Sequence, residues 1–265
     1  RSPLRGKRMT LYYENDPADD STLPQLPPLL RAVEVPAAQD ILAKAIAVAS
    51  TTEVGTVFYS KDADSMKIAI RLAPEVPLRS AGQILFAMMV GLGDAIGALA
   101  PPEVAVTYQL PGYLLLNRGR AGVVRLVVDP AAEPDDIPDW MIVGAEVLIS
   151  QLSDHNGEWM AQEGIEHTSL AEEGGGFISR TRLVESSCRH FLAWVNRWND
   201  DGFKPIYDAW MQRLEVKNPI SFEDGAKVDW LGLDEDGGAL LKLDGKPTSV
   251  PPHNLVEFCG NPKLQ

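Results

Sequence analysis

The hydrophobic positions of this chain follow two periods, one near two residues and one near the helical 3.6. The helical spacing predicts four helices, at residues 37–50, 80–99, 178–198 and 203–214. Alternating or β-branched and aromatic runs predict six strands, at residues 56–59, 66–72, 104–110, 113–116, 123–128 and 141–149. Hairpins of strands interrupted by helices are typical of a mixed α+β fold rather than a doubly wound parallel sheet.

The second predicted helix combines a strong apolar stripe with an unusual number of glycines. Ser80 can cap its first turn. Gly91, Gly93 and Gly97 lie in its interior, and each costs about 1 kcal/mol relative to alanine there. We therefore expect this helix to pack closely against the sheet.

Both ends of the chain differ in pattern from the middle. Residues 1–28 carry clustered charges and several prolines, so we expect an extended N-terminal segment outside the fold. Residues 218–258 form short apolar segments separated by turns such as Asp244-Gly245, which predict a small antiparallel barrel. The predicted organisation is thus an extended segment at residues 1–28, a main domain at 29–217 and a small domain at 218–265.

Composition and charge exclude several classes of function. The 265 residues include 24 Lys and Arg against 37 Asp and Glu, a net charge of −13, which argues against binding to nucleic acid. No apolar run approaching about 20 residues stands out, so we expect no membrane helix. The two cysteines, Cys188 and Cys259, are too few for a disulfide framework and favour a reducing cytoplasm. The four histidines fall at no metal-ligand spacing, so we expect no metal site.

Two short motifs, in the order in which they occur, resemble the biotin protein ligase (biotin/lipoate A/B protein ligase) family. The stretch PGYLLLNRGRAGVV at residues 111–124 is similar to the family's W-P-N-D-x-x-x-N-x-x-K-x-G-G-I-L. Thr168-Ser169-Leu170 resembles the family's T-S-L loop. The resemblance covers roughly residues 29–258. It implies a mixed β-sheet with helices packed on one face, followed by a small C-terminal SH3-like barrel.

The resemblance also implies a reaction and a site. Family members use ATP, with Mg²⁺, to convert biotin or a related acyl acid into an acyl-adenylate, and they pass the acyl group to a lysine of a biotinyl or lipoyl carrier domain. Arg120 takes the position of the family's catalytic lysine. The resemblance places the ligand-binding positions at Gln39, Thr56, Gln109, Asn117 and Gly122.

The sequence departs from the family where the ligands should be held. The S-T-N motif is replaced by Ala37-Ala38-Gln39, and the lysine of K-W-P-N-D by Gln109. The basic glycine-rich loop is reduced to residues 60–65, whose net charge of −1 would repel a triphosphate. Glu146 lies where family glycines let the backbone approach phosphate.

Three hypotheses follow from this pattern. The first is a divergent ligase that activates a small acyl acid, with Arg120 keeping the positive charge of the family lysine. The second is a non-catalytic protein that keeps the fold and binds a ligand or a carrier domain. The third and weakest is acyl transfer through Cys188, which lies on an apolar helical stripe and is better explained as a core thiol.

Overall fold

The fold is built on a seven-stranded sheet. The computed structural model describes residues 22–62, 64–150, 166–215, 220–221, 227–243 and 245–255. The strands are β1 Arg31–Val35, β2 Thr56–Ser60, β3 Ser65–Leu72, β4 Val106–Gln109, β5 Tyr113–Leu116, β6 Gly119–Val128 and β7 Met141–Leu148. Their order is β1-β2-β3-β7-β6-β5-β4. Only the β1–β2 pair is parallel, so the mixed sheet predicted from the sequence is confirmed.

The α-helices within the described residues cover the two faces of this sheet unequally. They are α1 Ile41–Ala47, α2 Leu78–Ala81, α3 Ile84–Leu99, α4 Arg180–Asp201 and α5 Lys204–Met211. Helices α3, α4 and α5 share one core cluster with Ile68. Helix α1 packs with Ala69, the next residue of β3, in a separate cluster. Because successive strand residues point to opposite faces, α1 lies on the other side of the sheet. Ala81 of α2 joins the α3–α5 cluster, so the expectation that the helices occupy one face is wrong for α1.

The helix ends show where the sequence signals succeed and fail. Asp40 caps α1 by accepting from the Ala43 N–H at 2.9 Å, and Ser179 caps α4 by accepting from the Arg182 N–H at 3.2 Å. The predicted cap at Ser80 is wrong, because Ser80 lies inside the short helix α2 and α3 begins after Gln83 without a side-chain cap.

The stretch Leu78–Leu99, which contains α2 and α3, is buried in the protein. At 22 residues it is long and apolar enough to cross a membrane, so the expectation that no apolar run reaches this length is wrong. However, 78% of its most apolar window is buried inside the protein. Helix α3 is therefore the central core helix, which explains why its hydrophobic residues surround it on nearly all sides.

The C-terminal residues form a small antiparallel sheet that joins the main core. Its strands are β8 Ile220–Ser221, β9 Lys227–Leu233, β10 Ala239–Leu243 and β11 Lys246–Val250, in the order β11-β10-β9-β8. Val228 and Leu241 belong to the same core cluster as α3. The Trp230 ring lies 6.4 Å from that of Trp210 on α5. Closure of this sheet into an SH3-like barrel stays a prediction, and Asp244 of the predicted turn lies outside the described residues.

The described part of the N-terminal segment, residues 22–28, is not independent of the fold. The Gln25 N–H donates to Glu185 Oε1 of α4 at 2.7 Å, and Leu26 packs against the main core. The extended segment therefore crosses α4 before it enters β1. The earlier residues, 1–21, lie outside the described residues.

The three helix glycines differ in their surroundings, and the expected contact with the sheet is found at Gly93, where a Cβ would clash with the Tyr108 hydroxyl of β4. Gly91 faces another partner. A Cβ on Gly91 would lie 2.9 Å from the backbone nitrogen and 3.0 Å from the Cα of Phe191 in α4. Gly91 thus allows close packing of α3 on α4 rather than on the sheet. A Cβ on Gly97 would meet nothing within 4 Å.

We predict that Gly91→Ala destabilises the protein whereas Gly97→Ala does not. The first change drives a methyl group into the α4 backbone, and such overpacking typically costs about 1–3 kcal/mol. The second removes a helix glycine in open space and should stabilise by up to about 1 kcal/mol. Urea denaturation of both variants measures the difference, and equal stabilisation by the two changes would refute the close contact between α3 and α4.

Candidate functional site

The sheet face opposite α3–α5 carries a row of directly paired residues from five adjacent strands. Gln109 pairs with Tyr113, Tyr113 with Val123, Val123 with Glu146, and Glu146 with Lys67. We call this set the register row. With strands about 4.8 Å apart, the row extends roughly 19 Å across the sheet. Its two ends are polar and its centre is apolar.

At one end of the row, Lys67 lies between two carboxylates. Its Nζ is 2.9 Å from Asp62 Oδ2 and 3.6 Å from Glu146 Oε1. The Ser65 hydroxyl also donates to Asp62 Oδ2, at 3.0 Å. The side chains of Lys67, Asp62 and Glu146 are 24%, 23% and 18% exposed, so these charges are only partly screened by water.

This contact shifts the titration of both partners. Burial by itself would raise the pKa of Asp62, but the hydrogen bonds from Lys67, the Asp64 backbone and Ser65, with the charge of Lys67, outweigh it and lower that pKa. Burial likewise would lower the pKa of Lys67, but the hydrogen bond to Asp62 and the charge of Glu146 raise it. Lys67 is therefore a protonated cation already bound to carboxylates over the ordinary pH range.

At the other end, Arg120 is buried over an aromatic ring. It is 4% exposed. Its Cζ lies 3.4 Å from the centroid of the Tyr113 ring, and its Nη2 donates to Gln109 Oε1 at 3.2 Å. Stacking on an aromatic face suits the planar guanidinium better than it would suit the family's lysine. Of the predicted site residues, the structure brings Arg120 and Gln109 into direct contact.

The centre of the row is apolar. Val123 and Leu148 are each 4% exposed and form one cluster with Tyr113. Leu148 pairs with Ser65, directly beside the register row. An apolar stretch therefore separates the guanidinium of Arg120 from the ion-paired ammonium of Lys67.

Gln39 and Thr56, two of the other predicted site residues, lie at opposite ends of the parallel β1–β2 pair. Gln39 is exposed in the loop between β1 and α1, beyond the end of the sheet at which Val35 pairs with Ser60. Thr56 begins β2, about 13 Å along the strand from Ser60. Its hydroxyl donates to the Glu53 carbonyl at 2.8 Å. The structure does not bring Thr56 together with Arg120.

Asn117 and Gly122 make structural contacts with neighbouring segments of the chain. Asn117 lies in the β5–β6 turn with a φ of 46°, its Oδ1 accepts from the Ala105 N–H at 2.9 Å, and its Nδ2 donates to Glu173 Oε2 at 2.6 Å. A Cβ on Gly122 would lie 2.7 Å from the Glu146 carbonyl oxygen, so glycine is needed for strand packing there. Sequence reasoning missed Lys67 and Tyr113, although Lys67 could have been noticed as a charged residue in a strand whose neighbours are apolar.

ATP with Mg²⁺, the cofactor pair that the family resemblance implies, does not fit the residues at the Lys67 end. A triphosphate needs several uncommitted cations, whereas Lys67 is bound to Asp62 and near Glu146, which would repel phosphate. Within the described ranges, no group of three or more His, Cys, Asp or Glu side chains is placed to hold a metal ion.

Cys188 is unsuited to nucleophilic catalysis. It is a free thiol with no exposed surface, and burial raises its pKa to about 12.

We predict that a thiol reagent at about pH 8 leaves Cys188 of the native protein unmodified and labels it only after unfolding, because the thiolate is the reactive form. Peptide mass spectrometry of the labelled protein checks this, and rapid native labelling of Cys188 would revive the acyl-transfer hypothesis.

The lowered pKa of Asp62 predicts a specific loss of stability in acid. Its ionised form contributes stability that is fully present above the unfolded-state pKa and is lost as the pH falls through the lower folded-state pKa. We expect Asp62→Asn to flatten the decline of the unfolding free energy below about pH 4. Urea denaturation from about pH 3 to pH 7 measures this slope.

The matched control is Asp208→Asn, which removes an exposed i,i+4 pair with Lys204 on α5. It should follow the wild-type curve. An unchanged slope in Asp62→Asn would contradict the structure of this ion-pair cluster.

Comparisons with known proteins agree with this fold. A family model, described as the biotin/lipoate A/B protein ligase family, matches residues 26–212. The biotin–[acetyl-CoA-carboxylase] ligase of Paracoccus denitrificans is 22% identical over 175 residues, 64% of this chain and 71% of that protein. The bifunctional ligase/repressor BirA of Bacillus spizizenii is 22% identical over 195 residues, 70% of this chain and 56% of that protein.

Two solved structures give the same answer for the architecture. A biotin protein ligase-like protein of unknown function from Silicibacter sp. TM1040 is 33% identical with a TM-score of 0.77, covering 88% of this chain and 98% of that one. The biotin protein ligase of Aquifex aeolicus in complex with biotin and ATP is 12% identical with a TM-score of 0.61, covering 83% of this chain and 95% of that one, and shows the fold alone. Because the family model spans more than half of the chain, this protein belongs to the biotin/lipoate A/B protein ligase family.

Proposed function

We propose that this protein binds a small acyl acid of the biotin or lipoate type on the register row, without activating it with ATP. The observation that carries the proposal is the sequence of environments along the row. A buried guanidinium at Arg120 is followed by an apolar floor at Val123 and Leu148, and the Lys67–Glu146 pair closes the far end. An acid with an apolar chain matches this order, since its carboxylate and its chain need opposite surroundings.

Arg120 is the residue we assign to the ligand carboxylate. Arginine recognises carboxylates through charge-assisted hydrogen bonds, which are roughly twice as strong as neutral ones. Its stacking on Tyr113 and its bond to Gln109 hold the guanidinium in one orientation, which lowers the entropy lost on binding. The family lysine occupies the same sequence position, which supports a role for this cation in the ligand site.

The carboxylates at the other end support binding without adenylation. Each charge-assisted bond to phosphate that is missing forfeits about 1.5–3 kcal/mol, and Asp62 and Glu146 add repulsion. In this proposal the ligase fold is kept for recognition of the acid or of a biotinyl or lipoyl carrier domain.

The low cysteine content supports a cytoplasmic location.

The second candidate is ATP-dependent activation of the acyl acid and its transfer to a carrier-protein lysine. The family match and the cation at position 120 favour it. It differs from the first proposal in requiring nucleotide binding on this face.

We predict that biotin, lipoate or octanoate raises the melting temperature of the protein and that Mg·ATP does not. A ligand that prefers the folded state must stabilise it, by about 2.7 kcal/mol at a hundred times its dissociation constant. Arg120→Gln should weaken binding of the stabilising acid by at least about tenfold, because it removes the charge that meets the carboxylate. Calorimetric titration measures that affinity.

The matched control is Arg118→Gln, two residues away on the exposed β5–β6 turn, which should keep wild-type affinity. Failure of all three acids to bind would overturn the proposal. Incorporation of labelled pyrophosphate into ATP that depends on one of the acids would establish the second candidate instead.

A further inference from the structure

A separate group of contacts fastens the loop of residues 166–173, here called the TSL loop, to the β5–β6 hairpin. The Glu173 carboxylate is the central group of these contacts, and it accepts two short hydrogen bonds. Its Oε1 accepts from the Thr168 hydroxyl at 2.6 Å, and its Oε2 accepts from Asn117 Nδ2 at 2.6 Å. One carboxylate thus joins the loop to the turn of the hairpin.

The same loop binds both backbone polar groups of Arg120. The Arg120 N–H donates to the Glu166 carbonyl at 2.9 Å, and the Thr168 N–H donates to the Arg120 carbonyl at 3.0 Å. A Cβ on Gly119 would lie 2.7 Å from Thr168 Cγ2, so the two segments are in tight contact. Any movement of the TSL loop therefore moves the residue that carries the guanidinium.

The turn side of the contact is fixed as well. Asn117 is in the left-handed region of backbone space, where asparagine and aspartate are favoured over most other residues. Its Oδ1 is held by the Ala105 N–H, which leaves Nδ2 as the group that reaches Glu173. The polarity of this pair is thus set, with the amide donating and the carboxylate accepting.

We propose that Glu173 is a positioning residue whose carboxylate, through Asn117 and Thr168, holds Arg120 in the orientation that recognises the acyl carboxylate. This inference rests on the proposed function, because it assigns Arg120 to the ligand. It gives Asn117 a role in positioning, rather than in touching the ligand. An anionic acceptor is suited to this place because it binds two donors at once with charge-assisted strength.

The polarity of the Asn117–Glu173 pair allows a test by exchange. Glu173→Ala removes the acceptor, and Asn117→Asp places two carboxylates opposite each other. The double variant N117D/E173Q restores the bond in reverse, because the glutamine amide introduced at 173 donates to the aspartate introduced at 117 and its oxygen still accepts from Thr168. Aspartate tolerates the left-handed backbone at this turn, so the exchange adds no strain.

Two readouts separate positioning from general stability. The first is hydrogen exchange of the Arg120 and Thr168 amides, whose protection we expect to fall at least about tenfold in each single variant and to recover in the double variant. The second is the ratio of affinities for an acid and its neutral amide, biotin against biotinamide and octanoate against octanamide. We expect this preference for the acid to fall in both Glu173→Ala and Arg120→Gln. We expect it to return in N117D/E173Q.

Glu172→Ala is the matched control, since among the contacts described its carboxylate accepts only from the Ser169 hydroxyl, within its own loop. It should leave exchange and preference unchanged. Wild-type exchange in Glu173→Ala, or a double variant no better than Asn117→Asp, would overturn the proposal. If amide protection falls but the preference for the acid is unchanged, the role of Glu173 in positioning the Arg120 guanidinium is overturned. If the wild-type protein binds no acid, the proposed function itself is overturned.

Discussion

The functional account depends on the pairing of Lys67 with Asp62 and Glu146 on the face of the sheet opposite α3–α5. Three partly buried charges fix one another there, and removing one partner would leave an uncompensated charge in a poorly solvated place. The pairing commits the cation, and the two carboxylates would repel a phosphate placed beside it. The chemistry available on this face is therefore set by electrostatics, and the fold alone does not determine it.

The packing of the molecule explains how this face can differ while the fold is kept. Helices α3, α4 and α5 and the C-terminal sheet share one continuous core with one side of the seven-stranded sheet. Gly91 permits the close approach of α3 to α4, and Trp210 and Trp230 join the C-terminal sheet to the same core. Substitutions on the opposite face, such as glutamate at 146, leave this core intact. The largest core cluster and the candidate site thus lie on opposite faces of one sheet.

Much of this architecture could be predicted from the sequence because local periodicity specifies strands and helices. Strand β5 begins and ends where predicted, at Tyr113 and Leu116, and the family motif identified the hairpin that carries Arg120. What sequence could not give was register. The pairing of Lys67 with Glu146, 79 positions along the chain, depends on which strands are neighbours, and no local pattern encodes that. For the same reason the sequence did not reveal that Gly91 packs on α4, or that Thr56 begins its strand at the end away from Ser60.

A crystal structure of the protein grown with Mg·ATP and biotin together tests the central claim most directly. The account predicts that the acid occupies the face with its carboxylate at Arg120 and its apolar part over Val123 and Leu148, and that no nucleotide is ordered near Lys67. An ordered triphosphate bound beside Lys67, with Asp62 and Glu146 displaced from it, would contradict the account.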